Sequence, residues 1–190
     1  GFESHSLRQW QQGAIMASPP EQPAVRQLDK GKIELTSRMK VKGVSPEQVY
    51  QFMISLDDER YRQWHPEHHL QWKVVHRPKD ETVGSIYYFK ERFEDGQVLG
   101  AKIKVVEAIP GQRLVQRSIS PWWKPFDIIT GFESTPEGTL VTHQIVAGSD
   151  LPLLGRLFNR ILIPLFLKER HIQAIHNHAN EEFTNLERLL

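Results

Sequence analysis

Cysteine is absent from the 190 residues. Its absence excludes disulfides, thiolate metal sites and cysteine nucleophiles together, and leaves His, Asp and Glu as the only strong side-chain ligands. An excess of one charge is missing too. The 24 Lys and Arg stand against 23 Asp and Glu, for a formal net charge of +1, and no basic stripe interleaves with aromatics, so nucleic acid is not an expected partner. The most apolar stretch, LPLLGRLFNRILIPLFL at 151–167, is interrupted by Arg156, Arg160 and Pro164 and falls short of the roughly 20 apolar residues of a transmembrane segment. It is expected to be a buried helix. The N-terminal GFESHSLRQW lacks the basic start and apolar core of a secretory signal, which, with the missing cysteine, fits a cytoplasmic protein. No Ser-His-Asp order, GxSxG elbow or phosphate-cradling glycine motif can be singled out, which disfavours nucleophile-elbow hydrolases and nucleotide enzymes.

What is present suggests one domain, residues 31–190, behind an N-terminal arm and linker over 1–30, where MASPPEQPAV breaks regular structure. From Ile33 the apolar residues alternate as in a half-buried strand. SPEQVYQFM then starts a helix with Ser45 as N-cap and Pro46 at N1, and LDDERYRQWHPEHH gives a second short helix ended or kinked by Pro66. Strands are expected at 70–77, 83–93, 97–107, 112–119, 125–134 and 139–147, joined by short turn-rich segments that make antiparallel hairpins. A long helical region from 151 to 189, bent at Pro164, closes the chain. This order resembles the α+β helix-grip fold of the Bet v 1, START and polyketide cyclase superfamily. There a curved antiparallel sheet, here of about seven strands, wraps around a long C-terminal helix and encloses a cavity.

That fold hosts carriers as well as enzymes, so function has to come from the site. In RHIQAIHNHANEEF, residues 170–183, His178 lies about 20° to one side of His171 and Glu182 about 20° to the other at 100° per residue, so the three share the apolar stripe of the helix. His178 and Glu182 form an i, i+4 pair able to chelate one metal, or to hydrogen-bond at a solvated edge. His176 and Glu181 fall off the stripe and are expected in solvent. In IYYFKERF, residues 86–93, Glu91 shares a strand face with Tyr87, Phe89 and Phe93, away from Lys90 and Arg92, and an inward carboxylate needs a cation, a metal or a proton. In WHPEHHLQW, residues 64–72, His65, His68 and His69 crowd the entry to the next strand. Trp72, Tyr87, Phe89, Phe93, Trp122 and Trp123 can wall a cavity for a planar ligand or simply pack the core. His143 faces the same interior if its strand face is inward, and a histidine bonded to a backbone carbonyl is the plainer reading for it and for His76.

WHPEHH, an inward Glu on a following strand and His-x-x-x-Glu on the last helix resemble the zinc-dependent hydrolases of C-acylated phloroglucinols, diacetylphloroglucinol hydrolase and phloretin hydrolase. The resemblance implies a zinc held by Glu91, His178, Glu182 and a histidine that is His69 or His65. With His69 as the ligand, His65 and His68 are left to move protons as general acid and base. It also implies hydrolysis of a carbon–carbon bond in an acylated phloroglucinol-like or 1,3-diketone substrate, a small hydrophobic or aromatic molecule held in the cavity. The alternatives are a metal-free lipid or polyketide carrier of START type, or a metal-free polyketide cyclase or dehydratase. Oligomeric state is left open, a homo-oligomer included.

Overall fold

A computed structural model describes residues 22–119, 125–151 and 155–190. Among the described residues eight antiparallel strands form one sheet: β1 (Ala24–Gln27), β2 (Ile33–Lys42), β3 (His69–His76), β4 (Ile86–Arg92), β5 (Val98–Ile109), β6 (Arg113–Ser118), β7 (Phe126–Thr135) and β8 (Gly138–Ala147). Their spatial order is β1-β2-β8-β7-β6-β5-β4-β3, so the strands from β3 to β8 run as a meander of hairpins and β2 closes against β8. Two short helices, α1 (Pro46–Ile54) and α2 (Asp58–Trp64), link β2 to β3, and α3 (Gly155–Phe166) and α4 (Glu169–Leu189) end the chain. This is the α+β helix-grip architecture that the order of elements implies, with one strand more than expected.

Local chemistry sets the element ends. Ser45 caps α1 in a reciprocal capping box with Gln48, and Pro46 occupies the first turn where no N–H is needed. Asp57 caps α2 by accepting from the Arg60 N–H. At the β7–β8 hairpin Gly138 has φ +145°, and a Cβ there would lie 2.2 Å from the Val41 carbonyl oxygen, so only glycine lets β2 pass this close.

Three expectations need correction. Ala24–Gln27, placed in the linker, pairs with Ile33–Thr36 as an edge strand, because backbone bonds to β2 suffice for a strand whose side chains are all exposed. The helical break falls at Leu167–Lys168, between α3 and α4, and not at Pro164, which lies within α3. His176, expected in solvent, is 1 % exposed. It shares a hydrogen bond of 2.8 Å between Nδ1 and the Ser37 hydroxyl of β2, and Asn180 lies 2.9 Å from its Nε2. The reason is the grip itself: the sheet curls past more than one face of α4, so a single apolar stripe underestimates what is buried.

The core fills the space between α4, α1 and the concave face. Phe183 and Leu186 of α4 are wholly buried against Met39 and Val41 of β2, Phe132 of β7 and Val141 of β8. His143 of β8 lies with its ring 5.8 Å from that of Phe183, and its buried Nδ1 has no hydrogen-bond partner among the described residues. Burial pushes its pKa down to about 4.

Phe183→Ala is expected to lower unfolding free energy by about 3–5 kcal/mol in urea titrations, since the curled sheet cannot collapse into the void. His143 gives a pH dependence with a definite sign. It is neutral in both states above pH 6.5, whereas between about 6.5 and 4 the unfolded chain binds a proton that the fold refuses. Stability due to this residue therefore falls with acidification by about 1.4 kcal/mol per pH unit across that window. His143→Leu should flatten the acid limb of the stability curve relative to the parent.

Candidate functional site

Antiparallel pairing of β3 with β4 sets His69 directly opposite Glu91, both on the concave face, and α4 brings His178 and Glu182, one helical turn apart, down onto them. His69 Nε2 lies 3.2 Å from Glu182 Oε2 and 3.9 Å from Glu91 Oε1, while His178 Nε2 lies 3.7 Å from a carboxylate oxygen of each glutamate. Candidate ligand atoms of His69, His178 and Glu182 all fall within 4.8 Å of one another. β3 and α4 thus bring two imidazoles and one carboxylate together, and β4 adds Glu91 within 3.9 Å of both imidazoles.

The surroundings orient these groups. His69 Nδ1 lies 2.8 Å from the Tyr61 carbonyl oxygen; the proton that this bond requires on Nδ1 leaves the Nε2 lone pair facing the carboxylates. The Tyr61 ring stacks on His69 at 4.0 Å, and its hydroxyl donates to Glu91. The Trp64 indole N–H donates to the backbone carbonyl of Glu182 and so anchors that turn of α4. Tyr61 and Trp64 sit on the buried face of α2.

Burial dominates the electrostatics. It pushes Glu182 up to about 8, and pushes Glu91 up to about 7, with the nearby His69 opposing and Glu182 adding to the rise. Burial likewise lowers His69, and drives His178 down to about 2 with help from His69, His65 and His68. A protonated Glu182 can donate to His69 Nε2, but both nitrogens of His178 are buried with no hydrogen-bond partner among the described residues. Buried polar atoms without partners cost free energy. A divalent cation among the four side chains would remove that cost at His178 Nε2, because neutral imidazoles and carboxylates make the N/O donor set that zinc accepts.

The other histidines surround this point without joining it. His65 places Nε2 2.9 Å from Glu181 Oε2, and His68 directs Nδ1 at the Arg92 carbonyl oxygen. Their rings lie 5.1 and 5.5 Å from that of His178, and candidate ligand atoms of His65, His68 and His178 also fall within 4.8 Å of one another. His171 pairs with Asp95, and His76 is exposed at the end of β3.

A cavity of about 220 Å³ opens between α3, α4 and strands β4, β5, β7 and β8, walled by Phe89, Phe93, Leu99, Ile145, Ile163 and Ile175. Phe93 lines it and also packs against the four-residue cluster, its ring lying 5.2 Å from that of His178. Of the aromatics expected to bind substrate, Phe89 and Phe93 line this cavity. Trp72 and Tyr87 do not: they stack on each other at 4.9 Å, beneath Tyr61, as core. His143 does not line it either, and Trp122 and Trp123 lie outside the described residues. Tyr61 was not foreseen. Its burial follows from the apolar face of α2, but nothing in the spacing of its neighbours marks it as a partner of Glu91.

Solved structures share the fold at low identity. Ara h 8.0201 is 13 % identical, with 84 % of this chain and 97 % of that one covered at a TM-score of 0.56. Major latex-like protein 151 from Panax ginseng is 11 % identical, with 83 % and 96 % covered at 0.58. The di-domain ARO/CYC BexL of the BE-7585A biosynthetic pathway is 15 % identical at 0.57, with 83 % of this chain covering 50 % of that protein. No curated protein matches the chain. The profile described as Activator of Hsp90 ATPase homolog 1-like protein matches residues 43–152, more than half of the chain, and the chain belongs to that family.

Proposed function

We propose that this protein is a zinc-dependent hydrolase that cleaves a carbon–carbon bond in C-acylated phloroglucinol-like or 1,3-diketone molecules. One observation carries the reading: His69, Glu91, His178 and Glu182 converge from β3, β4 and α4 beside an apolar cavity. When bound, zinc would supply a Lewis acid and bring water near its point of ionisation at neutral pH.

The chain's own residues contribute the rest. Tyr61 holds Glu91, and the Tyr61 carbonyl holds His69 in the tautomer that offers Nε2. Phe89, Phe93 and the aliphatic wall would shield a planar ring from bulk water. In the net reaction the acyl–aryl bond breaks, the acyl carbon gains the oxygen of water and leaves as a carboxylate, and of water's two protons one goes to the ring carbon and the other is released to solvent. His65 and His68 have their rings 5.1 and 5.5 Å from that of His178 and do not line the cavity, so they are suited to relaying protons through the cluster more than to touching the ring.

The apolar lining also favours a second reading, a metal-free carrier of a small hydrophobic molecule. Metal separates the two. Elemental analysis of chelator-treated protein reconstituted with zinc should give about one equivalent, abolished in His178→Ala and in Glu182→Gln; a carrier would retain no zinc in any form. Tyr61→Phe should keep the stoichiometry but weaken zinc affinity about 10–100-fold, the usual cost of losing a group that orients a ligand. Acylated phloroglucinols incubated with the zinc-loaded protein should release one carboxylic acid per ring. Full zinc occupancy without cleavage of any acyl-aryl or 1,3-diketone compound would contradict the hydrolase reading.

A further inference from the structure

Among the described histidines only His171 lines the apolar cavity. It begins the same stripe of α4 that carries His178 and Glu182, two turns earlier. Its Nδ1 lies 2.8 Å from Asp95 Oδ2 in the turn between β4 and β5, and the two side chains are only 12 % and 5 % exposed. Asp95 is itself held by the Gln97 backbone N–H at 3.0 Å and by the Gln97 side-chain amide at 3.1 Å. Against the cost of burial, these donors and His171 keep its carboxyl below the usual aspartate range. An ionised Asp95 fixes the ring proton on Nδ1 and leaves Nε2 as the basic nitrogen. Phe93 packs edge-on against the imidazole at 5.3 Å and fixes its plane. Nε2 has no hydrogen-bond partner among the described residues.

We infer that His171, positioned by Asp95, is a base in the cavity wall that binds an acidic hydroxyl, a phenol or enol, and takes its proton. The O–H bond of the ligand breaks, the proton moves to Nε2, and the resulting imidazolium is paired with the Asp95 carboxylate while the ligand keeps the electron pair as phenolate or enolate. The other charged groups nearby do not compete for this role. Lys168, Glu169 and Arg170 of α4 are exposed, and Glu94 accepts from Asn177. The base shares the cavity with the function proposed above but needs no metal, and it explains why a mostly apolar wall, with Gln97 and Asn159 as its other polar side chains, carries one oriented imidazole.

The test uses chelator-treated, metal-free full-length protein, so that it stands apart from the zinc hypothesis. Para-nitrophenol is titrated near its own pKa and the yellow phenolate band of the bound form is recorded, with para-nitroanisole, which has no proton to give, as a control for cavity binding. The parent protein should raise the ionised-to-neutral ratio of bound para-nitrophenol about tenfold, a shift of one pKa unit. His171→Phe and His171→Gln should bind both compounds but lose that shift, and Asp95→Asn should reduce it while para-nitroanisole binding stays unchanged. Para-nitrophenol that binds the parent without added ionisation, ionises equally in the His171 variants, or fails to bind at all would overturn the inference.

Discussion

Two glutamates and two histidines packed against each other in a low-dielectric pocket are the arrangement on which the rest of the structure depends. Without a cation, burial opposes every charged form there at once. The carboxyls of Glu91 and Glu182 are pushed up to about 7 and 8, and His178 is pushed down to about 2 and left without hydrogen bonds. A fold built only for stability would gain by filling this position with apolar side chains. Instead, Tyr61 and Trp64 of α2 spend their hydrogen bonds on holding the site's groups in place. Such over-determined positioning of buried, pKa-shifted groups marks a functional-site candidate.

The grip of sheet on helix is what makes this possible. Side chains about 160° apart on α4 reach opposite halves of the sheet, His176 towards Ser37 of β2 and His178 towards β3 and β4. A helix held from both sides cannot rotate, so the stripe from His171 to Glu182 is fixed against the concave wall. That stripe passes first along the apolar cavity and then over the cluster, with Phe93 touching the rings of both His171 and His178. Membership of the Activator of Hsp90 ATPase homolog 1-like family and the likeness to Ara h 8.0201 and major latex-like protein 151 establish the scaffold. The chemistry rests on side chains that the scaffold merely positions.

Much of the fold was legible because its signals are local. Turn residues punctuate the strands from β3 to β8, and the Ser45–Pro46 start of α1 announces itself. The alternation in IYYFKERF put Glu91 on the inner face, and helical spacing put His178 beside Glu182. What failed depends on tertiary context. β1 has no buried residue and is a strand only because β2 offers a free edge. His176 is expected at the surface because a one-sided stripe is the rule for a helix packed on a flat sheet, but this sheet curls. Trp72 and Tyr87 belong to the core and not to the cavity because the stack they form with Tyr61 faces α2. The choice between His65 and His69 could not be made from sequence, since a residue's place in the turn between α2 and β3 decides which imidazole faces Glu91. The register of β3 with β4 brings His69 there.

The proposed hydrolase requires one divalent cation bound among these four side chains. A crystal of the full chain soaked in zinc, with diffraction recorded on both sides of the zinc absorption edge, tests it most directly. The account predicts one strong anomalous peak, about 2.0–2.2 Å from His69 Nε2, His178 Nε2 and a carboxylate oxygen of both Glu91 and Glu182. No peak at that point in fully soaked crystals, or zinc held only by His65, His68 or surface groups, would contradict it.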